Sequence, residues 1–404
     1  MNILYIHQYF LTPQEPGGTR SYWLAQELIK NGHKVTMITS STKFKEEIKK
    51  INVDGIEVIY FKEDYDQNMS ITRRLKAFLK FMYKSSRIGL KQRNIDLVIA
   101  TSTPLTIGIP ALILKWFKNK PFVFEVRDLW PEVPIQMGAI KNKWMIKATR
   151  SLEKLIYKNA AHVIALSPGM QDGVLQYIPI DKTSMIPNMA KMDEFWPREK
   201  NDLLVEKLGL NKNSFKAVHF GSLGLANGAH TIIESAKLLK DYKDIEFLFV
   251  GGGSTEKQLV DEVKKYQLDN VKFLGKFPMK DVSEIVNFSD VSLISFLDLP
   301  ILYTNSPNKL FDSLSAGKPI VVNSAGWTKS IAEDYLCGYY ANPKYPQELA
   351  DKILFLKNNP STASEMGINS RNLAEKVYDK SILCKQFVKV IENVSHVINK
   401  GSTI

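Results

Sequence analysis

Asn305-Ser306-Pro307-Asn308-Lys309-Leu310-Phe311-Asp312-Ser313-Leu314-Ser315-Ala316-Gly317-Lys318-Pro319 reads as one short helix with both ends marked. Ser306 is the expected N-cap, its hydroxyl accepting from a free backbone N–H. Pro307 suits the first helical position, where a missing N–H costs nothing. Gly317 can close the helix with positive φ, and Pro319 prevents it from continuing. Lys309 and Asp312, three apart, are expected to share a face. Val291-Ser292-Leu293-Ile294-Ser295 before it and Pro319-Ile320-Val321-Val322 after it have buried-strand patterns. A helix entered from the carboxyl end of a buried strand is where open α/β sheets bind ligands. Its N-terminus offers N–H groups and a positive dipole end to an anion. The segment therefore predicts a pocket for a phosphorylated ligand, with a cation and a carboxylate in place.

The same strand–helix alternation extends in both directions. Asn2–His7, Lys34–Thr39, Asp96–Ala100, Pro121–Glu125, Ala161–Ala165 and Thr183–Ile186 are strand patterns with helical stretches between them, Thr19–Lys30 among these. Pro187–Pro197 is irregular and bracketed by prolines, which reads as a linker. The pattern restarts at Phe215–Phe220 and continues through Ile245–Val250, Val271–Leu274 and Val291–Ser295. The predicted fold is α/β, two doubly wound Rossmann-like domains facing a cleft. The expected borders are 1–190, 200–378 and a closing helix in 379–404 whose core is Ser381–Lys400. At 404 residues the chain is too long for one ordinary core.

The net charge of +12 is uneven. Residues 1–187 hold 27 Lys and Arg against 16 Asp and Glu, an excess of +11; residues 188–404 hold 27 against 26. The first half should therefore meet something anionic. Met1–His7 is a strand pattern without a basic, cleavable leader, and Thr106–Phe117 is the longest mostly apolar run. The expectation is a cytoplasmic protein with reduced Cys337 and Cys384.

Glycine-rich turns follow strands in both halves of the chain. Glu15-Pro16-Gly17-Gly18-Thr19-Arg20 follows the first strand, Gly221-Ser222-Leu223-Gly224-Leu225-Ala226-Asn227-Gly228 follows Lys216–Phe220, and Gly251-Gly252-Gly253 follows Phe247–Val250. Glycines at such turns let the backbone approach a phosphate closely. Phe124-Glu125-Val126-Arg127-Asp128-Leu129-Trp130-Pro131-Glu132 sets Glu125, Arg127, Asp128 and Glu132 at a strand's carboxyl end. Carboxylates and a cation there suit sugar hydroxyls or a proton transfer; a salt-bridged surface loop is the alternative. The histidines form no metal-spaced cluster, and no metal site is expected.

Ile71–Arg93 carries eight basic residues and no acidic one, with Ile71, Leu75, Phe78, Leu79 and Met82 at helical spacing. Such a helix can lie on anionic lipid through Arg73, Arg74, Lys76, Lys80 and Lys84. The alternative is a solvated helix packed on the sheet. Lys141–Lys158 is a second basic stretch. No base-stacking or groove-reading motif accompanies the charge, so nucleic acid is not the expected partner.

Taken together these segments resemble the family-4 glycosyltransferases of the two-domain GT-B fold. The resemblance rests on Gly17-Gly18, Ala165-Leu166-Ser167-Pro168-Gly169-Met170, Ile186-Pro187-Asn188, Val250-Gly251-Gly252-Gly253, and the opening segment through Pro319. Phe124–Glu132 is most similar to the subgroup that makes bacterial capsule and O-antigen units, of the N-acetyl-fucosaminyl transferase type. The resemblance implies a retaining transfer from a UDP-sugar to a polyprenyl-diphosphate-linked saccharide, without an obligatory metal or cofactor. It implies a peripheral place on the inner face of the plasma membrane and a last helix that crosses back to the first domain.

On this resemblance, Asp312 accepts from the ribose hydroxyls, and Lys309 with the Ser306, Asn308 and Leu310 end of the helix holds the diphosphate. Gly17, Gly18, Arg20, Gly221, Ser222, Asn227 and Gly252 complete the donor side. Asp128, Glu125, Arg127 and Lys309 are the expected catalytic residues. The family's two glutamates, eight apart, fall on Thr304 and Asp312, and its arginine and lysine after the second domain's first strand fall on Ser222 and Asn227. The usual diphosphate cations are thus missing, and Lys309, Arg20 and Arg127 are the candidates to replace them. A UDP-sugar epimerase, a two-domain sugar-binding protein and an inactive homologue stay open as alternatives.

Overall fold

The computed structural model describes residues 1–15, 17–63, 69 and 71–401, with the side chains of 71 and 398–401 left aside. Pro16 of the first turn, the Ile71 side chain of the basic helix and the last side chains of the closing helix lie outside the described residues. The chain forms two compact units, Met1–Pro187 with Ser381–Ile404, and Asn188–Lys380.

The first unit contains β1 (Asn2–Ile6), β2 (Lys34–Ser41), β3 (Ile48–Val53), β4 (Ile56–Lys62), β5 (Leu97–Thr101), β6 (Phe122–Val126), β7 (His162–Ala165) and β8 (Thr183–Met185). Their order is β3-β4-β2-β1-β5-β6-β7-β8. Only β3 and β4 pair antiparallel among the described strands. β5 and β6 are buried at every position, as expected for central parallel strands covered on both faces. The β3–β4 hairpin was not anticipated. Its turn, Asp54-Gly55, has φ of 48° and 90°, the left-handed pair that an Asp-Gly turn supplies. β3 has no buried residue, so hydrophobic patterning could not reveal it.

The second unit contains β9 (Phe215–Ser222), β10 (Ile245–Gly252), β11 (Val271–Gly275), β12 (Val291–Ile294), β13 (Ile320–Val322) and β14 (Gly338–Tyr340). They form one parallel sheet in the order β11-β10-β9-β12-β13-β14. Alternation along β9 and β10 divides the core between the two faces. Ala217, Phe247 and Phe249 pack with Ile232 and Ile353 on one side. Val218, Phe220, Leu248 and Val250 pack with Phe195 and Val286 on the other.

The stretch expected as a linker is instead built into the second unit from Asn188 onward. Ala190 and Phe195 are fully buried, because Phe195 stacks on Phe220 with ring centres 6.2 Å apart. The closing helix, Lys380–Gly401, contributes its length from Ser381 to the first unit. Phe387 and Ile391 are buried there, and Glu392 Oε1 lies 3.1 Å from His33 Nε2. No helix among the described residues is long and apolar enough to cross a membrane.

Candidate functional site

In the second unit the opening helix spans Asn308–Ser315, between β12 and β13. Its start differs from the expectation by one residue. Pro307, not Ser306, is the N-cap, and the Ser306 hydroxyl accepts from the Asn188 backbone N–H at 3.2 Å. Its end is as read: Gly317 has φ of 62° and Lys318 N–H reaches back to the Ser313 carbonyl at 3.1 Å. By position, the Asn308 and Lys309 N–H groups have no intrahelical acceptor. Leu310 offers less: its side chain is fully buried and its N–H bonds to the Pro307 carbonyl at 3.1 Å.

Lys309 extends from this helix to the turn after β9. Its Nζ donates to Asn227 Oδ1 at 2.9 Å and stands 3.4 Å from His219 Nε2. A side chain on Gly221 would lie 3.9 Å from Lys309 Cε. His219 Nδ1 is 3.2 Å from the Leu293 carbonyl, so this nitrogen carries the proton and Nε2 accepts from Lys309. Burial, with the Lys309 charge beside it, pushes His219 well below its ordinary range and keeps it neutral. Two of the three ammonium donors thus have acceptors. No carboxylate pairs with Lys309 among the described residues, although it is only 9% exposed. Burial alone brings its pKa down to about 7. Ser222 ends β9, in register with Gly252 at the end of β10. Beside them Gly251 has φ of 134°, and a Cβ there would come within 1.9 Å of the Gly221 carbonyl oxygen, so only glycine fits.

Asp312 turns to different neighbours from Lys309. It is 4% exposed, and its Oδ1 is 3.5 Å from Lys191 Nζ in the segment that enters the unit. Burial pushes its carboxyl up to about 6, against the opposing pull of Lys191. Thr304, where the first carboxylate is missing, ends a short 3-10 turn, and its hydroxyl donates to the Ile301 carbonyl at 2.7 Å.

In the first unit the candidates gather at the carboxyl ends of β1, β5 and β6. Arg20 and Glu125 form a buried ion pair, Nε to Oε1 at 2.8 Å, with side chains 1% and 0% exposed. Arg20 also donates to the carbonyls of Ile186 and Pro187, and Glu125 Oε2 accepts from Thr101 Oγ1 at 3.0 Å. Every polar group of this pair is therefore engaged within the unit. Such a geometry holds the sheet end together, and neither residue presents a free charge to a ligand. Arg127 and Asp128 lie just beyond. Arg127 is anchored through its N–H to Ser102 Oγ at 2.9 Å, and its Nη1 is 3.5 Å from His7 Nε2. His7 Nδ1 meets Ser21 Oγ at 2.9 Å. Burial and the Arg127 charge hold His7 well below its ordinary range. Burial pushes Asp128 up to about 6, with Arg127 opposing it. Gly17 is exposed and Gly18 partly so, ahead of the helix Arg20–Lys30.

The basic helix spans Ile71–Lys91. Its buried side is Ala77, Phe81, Ser85 and Ile88. Leu75, Leu79 and Tyr83, spaced by four, are exposed by 45%, 47% and 57% instead of packing on the sheet. The acidic residues missing from its sequence are partly supplied by other elements: Lys80 pairs with Glu63 at 2.7 Å and Lys84 with Glu47 at 3.0 Å. Phe78 packs edge-on against Trp130 in the Asp128 loop, ring centres 6.3 Å apart. The second basic stretch forms the helix Lys143–Asn159, which reaches the same loop through Arg150 to Glu132 at 2.7 Å. Its Trp144 is 79% exposed.

Sequence reasoning did not single out Lys191 and His219. Lys191 lies in an irregular proline-bracketed run whose burial nothing local announces. His219 alternates with apolar residues on β9, a pattern that does not distinguish a ligand for Lys309 from a packed histidine.

Residues 17–194 match the model of Glycosyltransferase Family 4, and residues 200–373 match that of Glycosyl transferases group 1. A relative in Pseudomonas aeruginosa, "Probable glycosyltransferase WbjE", is 23% identical over 337 residues, 81% of this chain and 82% of that one. Among solved structures, sucrose-phosphate synthase from Thermosynechococcus elongatus superposes with a TM-score of 0.79 at 16% identity, covering 98% of this chain and 99% of that one. HepE of Anabaena, solved in complex with UDP-glucose, gives 0.71 at 19% identity, covering 97% and 100%.

Proposed function

Since this chain belongs to the family-4, group 1 glycosyltransferases and has their GT-B fold, we propose that it moves a sugar from a UDP-sugar to a lipid-linked saccharide. The observation that carries this reading is Lys309, a buried cation with no carboxylate partner among the described residues, at the start of a helix entered from β12. Burying an unpaired charge costs several kcal/mol, about the penalty that a bound anion removes. The second unit is the donor-binding domain. Asp312 accepts from the ribose, and Lys309 with the Asn308 and Lys309 N–H groups receives the diphosphate near Gly221, Ser222 and Gly252.

The acceptor hydroxyl oxygen bonds to the anomeric carbon as the carbon–oxygen bond to the diphosphate breaks. The electron pair leaves with UDP, and the hydroxyl proton passes to a diphosphate oxygen on the same face, with retention of configuration. Lys309 stabilises the charge that develops on the leaving group, a contribution that reaches 10²–10³ in rate for a single donor in comparable sites. Asp128 and Arg127 orient the acceptor. The Arg20–Glu125 pair supports them from beneath. The sugar is an N-acetylated amino sugar, and the product is a unit of capsule or O-antigen.

The polyprenyl acceptor places the first unit at the cytoplasmic face of the membrane. The exposed Leu75, Leu79 and Tyr83 ridge among basic residues supports this, as does Trp144 at the head of the second basic helix. Both helices are fastened to the loop that carries Asp128. Amphipathic basic helices of this kind lie in the interface of anionic bilayers.

The test is a screen of nucleotide sugars against short polyprenyl-diphosphate saccharides, reading UDP release and product. Release of UDP that requires the acceptor supports transfer. A changed sugar nucleotide without acceptor would establish the epimerase, and binding without turnover the inactive homologue.

A further inference from the structure

The segment that leads into the second unit is stapled along the Asn308–Ser315 helix. Asn188 donates through its N–H to Ser306 Oγ at 3.2 Å and through Nδ2 to the Ser306 carbonyl at 2.6 Å. Further on, Lys191 Nζ lies between Glu194 Oε2 at 2.9 Å and Asp312 Oδ1 at 3.5 Å. At the far end Arg371 Nη1 bridges the Phe195 carbonyl at 3.3 Å and the Ser315 carbonyl at 2.7 Å. Lys191 is 6% exposed and packs over the Phe195 ring, 5.5 Å from its centre. Asp312 Oδ1 is buried and accepts no hydrogen bond among the described residues. It is thus a carboxylate oxygen with a cation beside it and its hydrogen-bonding capacity unspent.

We propose that Lys191 is a positioning residue of the nucleotide site, holding the Asp312 carboxylate ionised and in place to accept from the ribose hydroxyls. This rests on the reading of Asp312 as the ribose acceptor. A buried carboxyl with no cation beside it takes up a proton near neutrality and then accepts poorly from a hydroxyl. Lys191 opposes that, and keeps its own proton: burial draws its pKa down, but Asp312 and Glu194 together outweigh this and raise it.

The charged and titratable groups around Asp312 are few. The entering segment brings Lys191 and Glu194, and the helix itself brings Lys309, one turn earlier and directed to Asn227. The helix Pro360–Leu373 brings Arg371, which donates to backbone carbonyls and pairs with Glu375 at 2.6 Å, and the π-helix Ala374–Tyr378 brings that Glu375 and Tyr378, packed on Phe311. β12 and β13 carry no ionisable side chain. Lys191 is therefore the cation that sets the charge of Asp312.

The experiment is UDP affinity by calorimetry from pH 5.5 to 8.5 for the unaltered protein and for Lys191→Met, Lys191→Arg, Glu194→Gln and Asp312→Asn. Lys191→Met should weaken UDP about threefold at pH 6.5 and nearly tenfold at pH 5.5, the deficit relative to the unaltered protein closing at higher pH as the midpoint of the acid limb moves up by about one pH unit. Lys191→Arg should restore both. Glu194→Gln, at a partly exposed residue, should move the midpoint down, because Lys191 then serves Asp312 alone; this variant tests the idea even where Lys191→Met does not fold. Loss of affinity by the same factor at every pH, or a midpoint unmoved in both Lys191→Met and Glu194→Gln, would overturn the proposal. Unchanged affinity in Asp312→Asn would instead remove the ribose reading of Asp312 itself.

Discussion

Lys309 Nζ donates to Asn227 Oδ1 at 2.9 Å. The positive charge at the turn after β9 therefore comes from a residue 82 positions further along the chain. Its three-donor head also meets neutral His219, which can accept but does not compete as a cation.

Lys309→Ala should lower kcat/KM by about 10²–10³, the effect of losing one stabilising donor at a leaving group. Adding Asn227→Lys to that variant should return part of the rate by supplying an ammonium from the turn. Asn227→Lys alone should impair turnover, because two ammonium groups would meet within hydrogen-bond distance. Steady-state kinetics with UDP release as readout separates these outcomes. A rise in KM with unchanged kcat would give Lys309 only uniform binding.

Binding of UDP should take up protons near neutral pH. Burial holds the Lys309 pKa at about 7, so the free protein is partly deprotonated there at pH 7.5. A diphosphate beside it favours the charged form, so protons enter on binding and affinity falls as pH rises from 7 to 9. Calorimetry in buffers of different ionisation enthalpy measures the uptake, which should vanish in Lys309→Ala.

Arg20 and Glu125 should prove more important for stability than for chemistry. Glu125→Leu leaves a buried guanidinium without its carboxylate, and Arg20→Met the reverse; each should cost about 3–5 kcal/mol in denaturant unfolding of the first unit. The double variant should cost less than the sum, since it leaves no unpaired charge behind. Equal and additive losses would show that the two residues act independently.

Charge reversal on the basic helix should not be uniform in effect. Arg74→Glu with Lys76→Glu should release the protein from phosphatidylglycerol vesicles, and salt should do the same. Lys80→Glu and Lys84→Glu should matter less for docking, because those lysines are already paired with Glu63 and Glu47. Trp144→Ala should weaken binding without changing the salt dependence. Vesicle co-sedimentation reads all three, and retention of the Arg74→Glu, Lys76→Glu variant on vesicles would sink the docking idea.

The parallel strands were legible because central strands carry unbroken apolar runs, as Leu97–Thr101 and Phe122–Val126 do. The edge hairpin was not, since Ile48–Val53 buries nothing and only its Asp54-Gly55 turn gives a signal. On the basic helix, spacing suggested one apolar stripe. The structure has a buried face through Phe81 and Ile88 and a separate exposed ridge through Leu75 and Leu79. Periodicity reports that a residue recurs on a face, not which neighbour that face meets.

The sequence by itself determined the alternation that makes two parallel sheets, the glycine turns at their strand ends and the helix from Asn308 to Ser315. These depend on local conformational preference and on burial patterns a few residues long. Only the tertiary structure decided how the charges are spent. Arg20 is taken by Glu125 across 105 residues, Asp312 is met by Lys191 from the entering segment, and Lys309 has no carboxylate beside it among the described residues. An ion pair depends on distances in space and on the dielectric around it, and neither is written in the spacing of residues along a chain.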